Sequence, residues 1–477
     1  MGNCYLAIDI GASGGRHILG YMENDKIRLK EIYRFENRMI NDGGNLCWDT
    51  EYLFQQIIEG LKICRQIDKI PVSMAIDTWA VDYVLLDRND KIIVKTYAYR
   101  DHRTENMDKK IEHIISSEKL YKRTGIQKQV FNTVYQLMAF KEEYPELLDN
   151  SETFLMLPDY FSFLLTGVKK SEYTNATSTQ LVNSDTKDWD WELIEKLNFN
   201  KNIFLPLNLP ETVTGNFKKE IVNQVGFDCK VIMAASHDTA SAVISVPETD
   251  EKNSSIYISS GTWSLMGIET DNPISTKESM NLNFSNEGGY HYKFRFLKNI
   301  TGLWIIQSVR NEINKQYSFA ELCKMAEDEK DFPSRINVND LCFLSPESMI
   351  KEIQSYCEKT GQIVPRSISE IASVVYNSLA DSYNKTAEEI EKITGKKYEQ
   401  IHIIGGGSNA DYLNQLTANR TGKTVYAGPA EASSVGNIIV QMIQNKEFST
   451  LKEAKKFIYK SFEIKKYRPL ANNERRD

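Results

Sequence analysis

The chain has 477 residues, which is enough for two or three domains with buried cores, and 41% of them are apolar, as in globular proteins. A formal net charge of −7 does not favour nucleic acid or an anionic membrane surface as a partner, so a bound polyanion would need a local site. We expect a cytoplasmic protein, because no stretch has the roughly 18 apolar residues of a membrane span and the N-terminus lacks the pattern of a signal peptide.

The first predicted feature is a hairpin. Residues 5–10 are apolar except for Asp9. A Gly/Ser turn follows at 11–15, and the residues after it are again largely apolar. Rossmann and P-loop phosphate sites place a helix directly after such a turn. Here alternating apolar residues at 27–35 predict a further strand instead. The turn is therefore a predicted hairpin tip, which either holds phosphate groups with its backbone N–H groups or serves only as a turn.

Strands and helices alternate over the next part of the chain. Strands are predicted at 72–76, 81–86 and 92–97, and helices at 52–67, 107–115 and 132–143. A strand meander followed by this alternation predicts an α/β fold with a mixed sheet.

One strand connection, at residues 76–83, carries groups that suit a sugar. It contains two carboxylates, a hydroxyl and two aromatic rings: Asp77, Asp82, Thr78, Trp79 and Tyr83. Uncharged polyhydroxylated ligands are bound by bidentate acceptors and an aromatic face. A buried tryptophan beside a solvated turn would have the same composition, so the segment alone leaves both interpretations open.

A segment near residue 236 carries a candidate base. Residues 230–235 predict a strand, which leads into Ser236, His237, Asp238 and Thr239 at the start of a helix of small residues. In α/β proteins, reacting groups lie at such strand ends. Asp238 is either the base that takes the proton of an acceptor hydroxyl in phosphoryl transfer or only a helix cap.

Residues 256–267 repeat the pattern of the first hairpin, with Gly261 and Thr262 at the tip. Two tips that offer glycine N–H groups and Ser or Thr hydroxyls can hold one polyphosphate between them, which suggests an ATP clamp built by gene duplication. Asp9 would then contact Mg²⁺ directly or through water. A polar break at 246–253 predicts a boundary between domains 1–246 and 247–477.

The remaining elements are mostly helices. An amphipathic helix is predicted to begin near Asn299, whose polar neighbours either bind a ligand or only cap the helix. Helices are also predicted at 367–394 and 410–420, a strand at 400–404, and a helix of small residues after Gly428. The three glycines at 405–407 either let the backbone approach a nucleotide or only make a tight turn.

Nine motifs, in order along nearly the whole chain, together resemble one protein family. They are DIGASGGR at 9–16, IDTWAVD at 76–82, AYRD at 98–101, PDYF at 158–161, YTNAT at 173–177, SHDTASA at 236–242, SSGTWSLM at 259–266, KNI at 298–300 and GGG at 405–407. The combination is specific: the chain resembles the FGGY family of carbohydrate kinases, within the actin-like ATPase superfamily, and among them the kinases of L-rhamnulose. The resemblance implies two ribonuclease-H-like α/β domains, with ATP and sugar in the cleft between them.

The resemblance also implies roles for single residues. ATP, with Mg²⁺, would donate its γ-phosphate to O1 of L-rhamnulose, and Asp238 would accept the proton. Sugar contacts are implied for Ala80, His237, Asp238, Thr239 and Asn299, and nucleotide contacts for Ala12, Ser13, Gly14, Gly15, Arg16, Thr262, Gln307 and Gly406. The family usually has Ser at position 14 and Gly at position 80. This chain therefore lacks one hydroxyl toward the phosphates and has one added methyl beside the sugar.

Two rival functions stay open on the sequence alone. Kinases of L-fuculose, L-xylulose or a signalling pentose derivative belong to the same family, and a few side chains decide the sugar. A non-catalytic actin-like protein would instead bind ATP and hydrolyse it slowly or polymerise. Asp238 disfavours that second rival, because an ATP switch needs no base for a hydroxyl group. We expect a monomer or homodimer whose partners are a ketose and ATP, with no nucleic acid and no membrane.

Overall fold

The computed structural model describes residues 2–248 and 255–470. Residues 249–253 of the predicted polar break lie outside them. The chain divides into two compact units, which we call unit 1 and unit 2. Unit 1 comprises Met1–Ser245, Glu269–Phe296 and Ser433–Ser461, and unit 2 comprises Val246–Ile268, Leu297–Ala432 and Phe462–Asp477, each counted over its described residues. The predicted domains 1–246 and 247–477 remain a prediction.

The described residues form strands and helices in the following order. The strands are β1 (Cys4–Gly11), β2 (Gly14–Glu23), β3 (Lys26–Glu36), β4 (Met39–Asp42), β5 (Asn45–Trp48), β6 (Ser73–Thr78), β7 (Tyr83–Leu86), β8 (Thr96–Tyr97), β9 (Thr153–Met156), β10 (Ser171–Glu172), β11 (Val182–Asn183), β12 (Asp188–Trp189), β13 (Leu207–Asn208), β14 (Val213–Asn216), β15 (Lys230–Ile232), β16 (Ser255–Ser260), β17 (Ser264–Thr270), β18 (Ser285–Gly288), β19 (Phe294–Ile300), β20 (Gln400–Ile404), β21 (Thr424–Ala427) and β22 (Lys465–Tyr467). The helices are α1 (Thr50–Gln66), α2 (Met107–Ile114), α3 (Ser117–Thr124), α4 (Thr133–Glu143), α5 (Pro145–Asp149), α6 (Leu157–Thr166), α7 (Tyr173–Thr177), α8 (Trp191–Lys196), α9 (Lys219–Val225), α10 (Asp238–Ile244), α11 (Lys277–Asn281), α12 (Trp304–Glu312), α13 (Phe319–Asp328), α14 (Met349–Lys359), α15 (Ile368–Thr394), α16 (Asp411–Thr421), α17 (Ala432–Gln444) and α18 (Leu451–Ser461).

Unit 1 is built on a six-stranded mixed sheet in the order β14-β15-β6-β1-β2-β3. Strand β1 pairs antiparallel with β2 and parallel with β6, and β6 pairs parallel with β15. Because β1 is central, its apolar side chains are buried; Leu6 and Ile8 join one core cluster with Leu53 and Ile57 of α1 and Phe161 of α6. The sheet thus places Asp9 and Asp77 on adjacent strands.

Unit 2 contains a sheet with the same order of strand directions. Strands β17, β16, β20, β21 and β22 are neighbours in that order: β16 is antiparallel to β17 and parallel to β20, and β20 is parallel to β21. Strand β22 closes this series antiparallel to β21, as β14 does beside β15 in unit 1. In each unit the predicted hairpin therefore occupies the same place in a mixed sheet. The predicted α/β class is confirmed.

Most of the predicted elements are confirmed, and two are wrong. Both hairpins form, no helix follows the first tip, and the helix predicted at 367–394 is α15. Of the strand predicted at 92–97, only β8 forms, because Ile92 makes one isolated bridge with Leu86 and the chain bends before Thr96. The helix predicted to begin near Asn299 begins at Trp304, because Asn299 belongs to β19.

The start of α12 is fixed by the second hairpin. Backbone N–H groups of Leu303 and Trp304 donate to the carbonyl oxygens of Gly261 and Thr262, at 3.1 Å each. The first N–H groups of a helix have no partner within it, and here the hairpin tip supplies two acceptors.

Among residues 2–248 and 255–470, every helix is too short or too polar to cross a bilayer.

Candidate active site

The predicted base Asp238 is the first residue of α10. His237 is the N-cap of this helix, so Asp238 does not occupy the cap position. Oδ1 of Asp238 accepts hydrogen bonds from the backbone N–H of Thr239 at 2.5 Å and from its hydroxyl at 3.1 Å. Burial and, next, the negative charge of Asp9 raise the pKa of Asp238 to about 7. A carboxylate with that pKa is suited to take up a proton near neutral pH.

A buried carboxylate, Glu172, anchors the segment that leads to Asp238. Its Oε2 accepts hydrogen bonds from the backbone N–H of Ser236 at 3.1 Å and from the Ser236 hydroxyl at 2.7 Å. The backbone N–H of Thr78 donates to the carbonyl oxygen of Ser236 at 2.9 Å. Glu172 could not be identified from the sequence, because its contact with Ser236 joins residues 64 positions apart and no local pattern signals it.

His237 lies beside Asp238 and is buried, with 5% exposure. Its Nδ1 accepts a hydrogen bond from Nη2 of Arg295 at 3.0 Å, and its Nε2 lies 3.5 Å from Oδ1 of Asp238. Burial and, next, the positive charge of Arg295 lower the pKa of His237 well below its usual value. His237 is therefore neutral at pH 7. Arg295 was also missed by sequence analysis, since it lies 58 residues further along the chain.

Asp9, the predicted Mg²⁺ contact, faces Arg16 across the first hairpin. Nη2 of Arg16 donates to Oδ2 of Asp9 at 3.0 Å, and the Ser434 hydroxyl donates to the same oxygen at 3.4 Å. Asp77 is the register partner of Asp9 on β6. Burial and, next, the charge of Asp9 raise the pKa of Asp77 well above its usual value. The carboxyl groups of Asp9 and Asp77 therefore lie close enough to interact.

The tip of the first hairpin is exposed at Ala12 and Ser13. Asn37 braces it from β3's C-terminal side: its backbone N–H donates to the Ser13 carbonyl oxygen at 3.1 Å, and its Nδ2 donates to the Gly11 carbonyl oxygen at 3.0 Å. These bonds use the carbonyl oxygens of the tip. A braced tip of this kind is a rigid support for the predicted phosphate contacts of Ala12 and Ser13.

Gly14 and Gly15, predicted nucleotide contacts, have no room for a side chain. A Cβ at position 14 would lie 2.8 Å from the carbonyl oxygen of Phe35, and one at position 15 would lie 2.2 Å from the Phe35 ring. The close approach of β3 therefore explains both glycines. A serine at position 14, which the resemblance leads one to expect, would require a backbone shift here.

Ala80, a predicted sugar contact, lies in a three-residue turn after β6. The backbone N–H of Asp82 donates to the Ala80 carbonyl oxygen at 2.9 Å, and Val81 between them has φ 67°. That φ is an outlier for a β-branched residue. The Thr133 hydroxyl donates to the Val81 carbonyl oxygen at 2.7 Å, and the Val81 N–H donates to Oγ of Ser178 at 3.2 Å. Backbone strain of order 1–3 kcal/mol that surrounding hydrogen bonds hold in place is typical of functional sites.

Both carboxylate oxygens of Asp82 accept hydrogen bonds from residues of unit 1. Its Oδ2 accepts from the indole N–H groups of Trp48 at 2.6 Å and Trp79 at 2.9 Å, and its Oδ1 accepts from Nε2 of Gln136 at 3.0 Å. Burial raises the pKa of Asp82 to about 6. The turn at 76–83 is thus buried rather than solvated, and Asp82 holds the two indoles in place. Trp79 was predictable from the local motif, whereas Trp48 and Gln136 lie 34 and 54 residues from Asp82 and were not.

In unit 2, two predicted nucleotide contacts touch each other. The Thr262 hydroxyl at the second hairpin tip donates to Oε1 of Gln307 on α12 at 3.3 Å. Asn299, a predicted sugar contact, lies on β19, and its buried Oδ1 has no hydrogen-bond partner among the described residues. That oxygen is an available acceptor for a ligand hydroxyl.

The three glycines after β20 differ from one another. A Cβ at Gly405 or Gly407 would lie 2.9 Å or 2.0 Å from atoms of Ser260, so both glycines allow close packing within unit 2. Gly405 also has φ 82°, which favours glycine. A Cβ at Gly406 would meet nothing within 4 Å. Gly406 therefore borders open space, as a contact to a nucleotide requires.

The acidic groups around Asp9 do not form a protein-only metal cage. In the described part of the chain, no group of three or more His, Cys, Asp or Glu side chains is arranged to hold a metal ion. Asp77 Oδ1 is buried without a hydrogen-bond partner there. Mg²⁺ is commonly held by one or two carboxylates together with substrate phosphates, so the donor set around Asp9 fits that ion.

Known proteins with similar sequences cover nearly the whole chain. Residues 4–245 match the FGGY family of carbohydrate kinases, N-terminal domain, and residues 256–444 match the C-terminal domain of that family. The chain is 50% identical to the rhamnulokinase of Halalkalibacterium halodurans over 98% of both chains. It is 44% identical to the rhamnulokinase of Bacillus subtilis over 98% of this chain and 95% of the relative.

Solved structures show the same fold at much lower identity. The gluconate kinase of Lactobacillus acidophilus superposes with a TM-score of 0.79 at 17% identity, over 98% of this chain and 94% of that one. The glycerol kinase of Plasmodium falciparum, solved with ADP, has a TM-score of 0.78 at 14% identity, over 100% and 96%. The predicted two-domain, actin-like α/β architecture is thereby confirmed.

Proposed function

Since the chain belongs to the FGGY family of carbohydrate kinases, we propose that it phosphorylates L-rhamnulose at O1 with ATP, in the catabolism of L-rhamnose. The observation that carries the proposal is Asp238, a carboxylate with its pKa raised to about 7 beside a neutral histidine. The choice of L-rhamnulose is supported by the rhamnulokinases that are 44% and 50% identical over nearly all of the chain.

Asp238 acts as the general base in this proposal. Its carboxylate accepts the proton of the O1 hydroxyl while O1 forms a bond to the γ-phosphorus of ATP. The bond from that phosphorus to the bridging oxygen breaks, and ADP leaves. The Thr239 hydroxyl and N–H, both bound to Oδ1, hold the carboxylate in one orientation.

We propose the following residues as sugar contacts, each within its own unit. In unit 1, His237 offers an N–H group beside the base, and Ala80 stands in the strained turn whose position Thr133 and Ser178 fix. In unit 2, Asn299 offers an unpartnered acceptor. Thr239 contributes through Asp238, since its hydroxyl already donates to that carboxylate.

The nucleotide is bound through backbone and hydroxyl groups. The tip residues Ala12, Ser13, Gly14 and Gly15 present N–H groups to phosphates, and Arg16 adds a positive charge. We propose Thr262, Gln307 and Gly406 as further nucleotide contacts, and the Thr262–Gln307 hydrogen bond orders two of these side chains. Asp9 would hold Mg²⁺, directly or through water, and the ion would neutralise charge on the phosphates when bound.

Two rival functions can be separated from this one. Kinases of L-fuculose or L-xylulose would use the same base and nucleotide contacts, so only the sugar distinguishes them. A non-catalytic actin-like protein is disfavoured by Asp238, because a raised carboxyl pKa next to a neutral imidazole has no role in an ATP switch. We further propose a cytoplasmic monomer or homodimer without a nucleic-acid or membrane partner.

A ketose panel tests the proposal. ADP release from Mg-ATP is measured with L-rhamnulose, L-fuculose and L-xylulose, and the product is located by phosphorus–carbon couplings in NMR. We expect the highest kcat/KM with L-rhamnulose and phosphate on O1. A higher value with another ketose would overturn the choice of sugar, and slow ADP release that no ketose stimulates would overturn the kinase.

A further inference from the structure

Arg295 is a fully buried arginine with an unusual set of partners. It lies on β19 with 0% exposure. Its Nε donates to the Gly288 carbonyl oxygen at 3.0 Å, and its Nη2 lies 3.0 Å from Oε2 of Glu287 and 3.0 Å from Nδ1 of His237. All four residues belong to unit 1. A buried ion pair is weak evidence for stability, because desolvation offsets much of the attraction between the charges.

The contact with Arg295 decides which nitrogen of His237 carries a proton. A guanidinium group has five N–H donors and no acceptor, so Nδ1 of His237 must accept. A neutral imidazole with an acceptor at Nδ1 carries its proton on Nε2. That Nε2 lies 3.5 Å from Oδ1 of Asp238, on the side of the predicted base. The geometry thus presents an N–H donor beside the reacting carboxylate.

The carboxylate of Glu287 competes with Arg295 for Nδ1 of His237. Its Oε2 lies 3.4 Å from Nδ1 of His237, close enough to attract a proton to that nitrogen. With Arg295 absent, the nearest partner of Nδ1 would be a carboxylate, which favours an N–H at Nδ1 or a charged imidazolium. Arg295 prevents both, because it donates to Nδ1 and neutralises Glu287. The charged groups that face His237 are thus Arg295, Glu287 and Asp238.

We propose that Arg295 is a positioning residue that locks His237 in its neutral Nε2–H form against the competing carboxylate of Glu287, so that Nε2–H donates to a hydroxyl of the bound sugar next to Asp238. The part that concerns the sugar rests on the proposed function. The position of the proton on His237 does not depend on the proposed function, and it can be tested without substrate.

The tautomer is measured by NMR of protein labelled with ¹⁵N-histidine. Two-bond correlations distinguish an Nε2–H ring from an Nδ1–H ring, and His237→Gln identifies the signals. We expect the Nε2–H form at pH 7 in the parent protein and in Glu287→Gln, where Arg295 still donates. In Arg295→Met we expect an Nδ1–H ring or an imidazolium. An Nε2–H form in Arg295→Met, or any other form in the parent, would overturn the proposal.

Kinetics supply a second readout. Loss of one hydrogen bond to the sugar should raise KM for the sugar about 10-fold in Arg295→Met, while KM for ATP stays within about twofold. Arg295→Lys keeps a donor toward Nδ1, so it should keep the Nε2–H form and recover most of the loss in KM. Arg28→Met, a change at an arginine whose side chain is 44% exposed, is the matched control and should change neither value. Equal losses for both substrates in Arg295→Met would contradict the positioning role.

The effect of Arg295→Met on folding must be distinguished from its effect on the proton of His237. Arg295→Met leaves Glu287 buried without its counter-ion, which can destabilise unit 1. The double variant Glu287→Gln with Arg295→Met removes both charges and avoids that cost. It should fold, and without the competing carboxylate it should return to the Nε2–H form, because Asp238 still faces Nε2; an Nδ1–H ring in the folded double variant would overturn the proposal. Failure of L-rhamnulose as substrate would leave the NMR result unchanged, so the two proposals fail separately.

Discussion

Gly436 of α17 lies against the backbone of Ser241 of α10, so closely that a Cβ at position 436 would stand 1.7 Å from the Ser241 carbonyl oxygen. Both residues belong to unit 1. The small residues after Gly428 therefore allow close packing behind the helix that begins with Asp238.

We predict that Gly436→Ala destabilises unit 1. The added methyl must push α10 and α17 apart, and such overpacking costs about 1–3 kcal/mol or more. Thermal unfolding should show a fall of several degrees, and the turnover of folded protein should fall as well, because α10 carries Asp238. The control is Ser433→Ala on the same helix. An unfolding temperature equal to that of the parent would show that the two helices can separate without cost.

Activity should depend on the protonation of Asp238. The base must be ionised, and its pKa is raised to about 7, so kcat/KM for the sugar should fall about tenfold per pH unit below pH 7 and level off above it. The profile is measured at saturating Mg-ATP. A profile that is flat between pH 8 and pH 5 would show that a different group takes the proton.

The same pKa has a consequence for stability. Because the folded pKa of about 7 exceeds the usual unfolded value of about 3.9, protonated Asp238 stabilises the fold at low pH and this contribution is lost as pH rises toward 7. Asparagine imitates the protonated form. Asp238→Asn should therefore gain stability relative to the parent as the pH rises from 4 to 7, and a constant difference in unfolding temperature would contradict the raised pKa.

Gly406 and Gly407 should respond differently to side chains. Gly406 borders open space, so Gly406→Val should fold normally and weaken ATP binding, with Kd raised at least about tenfold by two methyls where the nucleotide would lie. At Gly407 a Cβ would lie 2.0 Å from Oγ of Ser260, so Gly407→Ala should lower the unfolding temperature. Calorimetry measures both quantities. Unchanged ATP affinity in folded Gly406→Val would remove position 406 from the nucleotide site.

Ala80→Gly tests the departure of this chain from its family. One methyl in a pocket commonly changes discrimination by about 1–3 kcal/mol, so the ratio of kcat/KM for L-rhamnulose to that for L-fuculose or L-xylulose should change. KM for ATP should stay the same, and the flexible glycine should cost only about 0.5–1 kcal/mol of stability. Identical ratios in the two proteins would show that position 80 does not touch the sugar.

Local patterns sufficed for much of the fold. The helix at 367–394 was predictable because its periodicity is long and its capping box of Ser367 and Glu370 is local. The hairpins were predictable because a glycine turn joins their strands. The strand predicted at 92–97 does not form over its whole length, because strand pairing depends on a distant partner and Ile92 makes only one isolated bridge, to Leu86.

The site was less predictable than the fold. His237 and Asp238 could be identified from one contiguous motif. The residues that hold this motif could not, because Arg295 lies 58 residues from His237, Glu172 lies 64 residues from Ser236, and neither carries a recognisable local pattern. Composition also suggested that the carboxylates at 76–83 bind a sugar. It could not show that Trp48 and Gln136 would occupy the oxygens of Asp82.

The most direct test of the central claim, that Asp238 is the base of an L-rhamnulose kinase, is steady-state ADP release by the parent protein and Asp238→Asn with saturating Mg-ATP and L-rhamnulose. We predict that the parent forms L-rhamnulose 1-phosphate and that Asp238→Asn, folded and still binding ATP by calorimetry, loses about 10²–10⁴-fold in kcat, the usual effect of a lost general base. Turnover of folded Asp238→Asn close to that of the parent would contradict the claim.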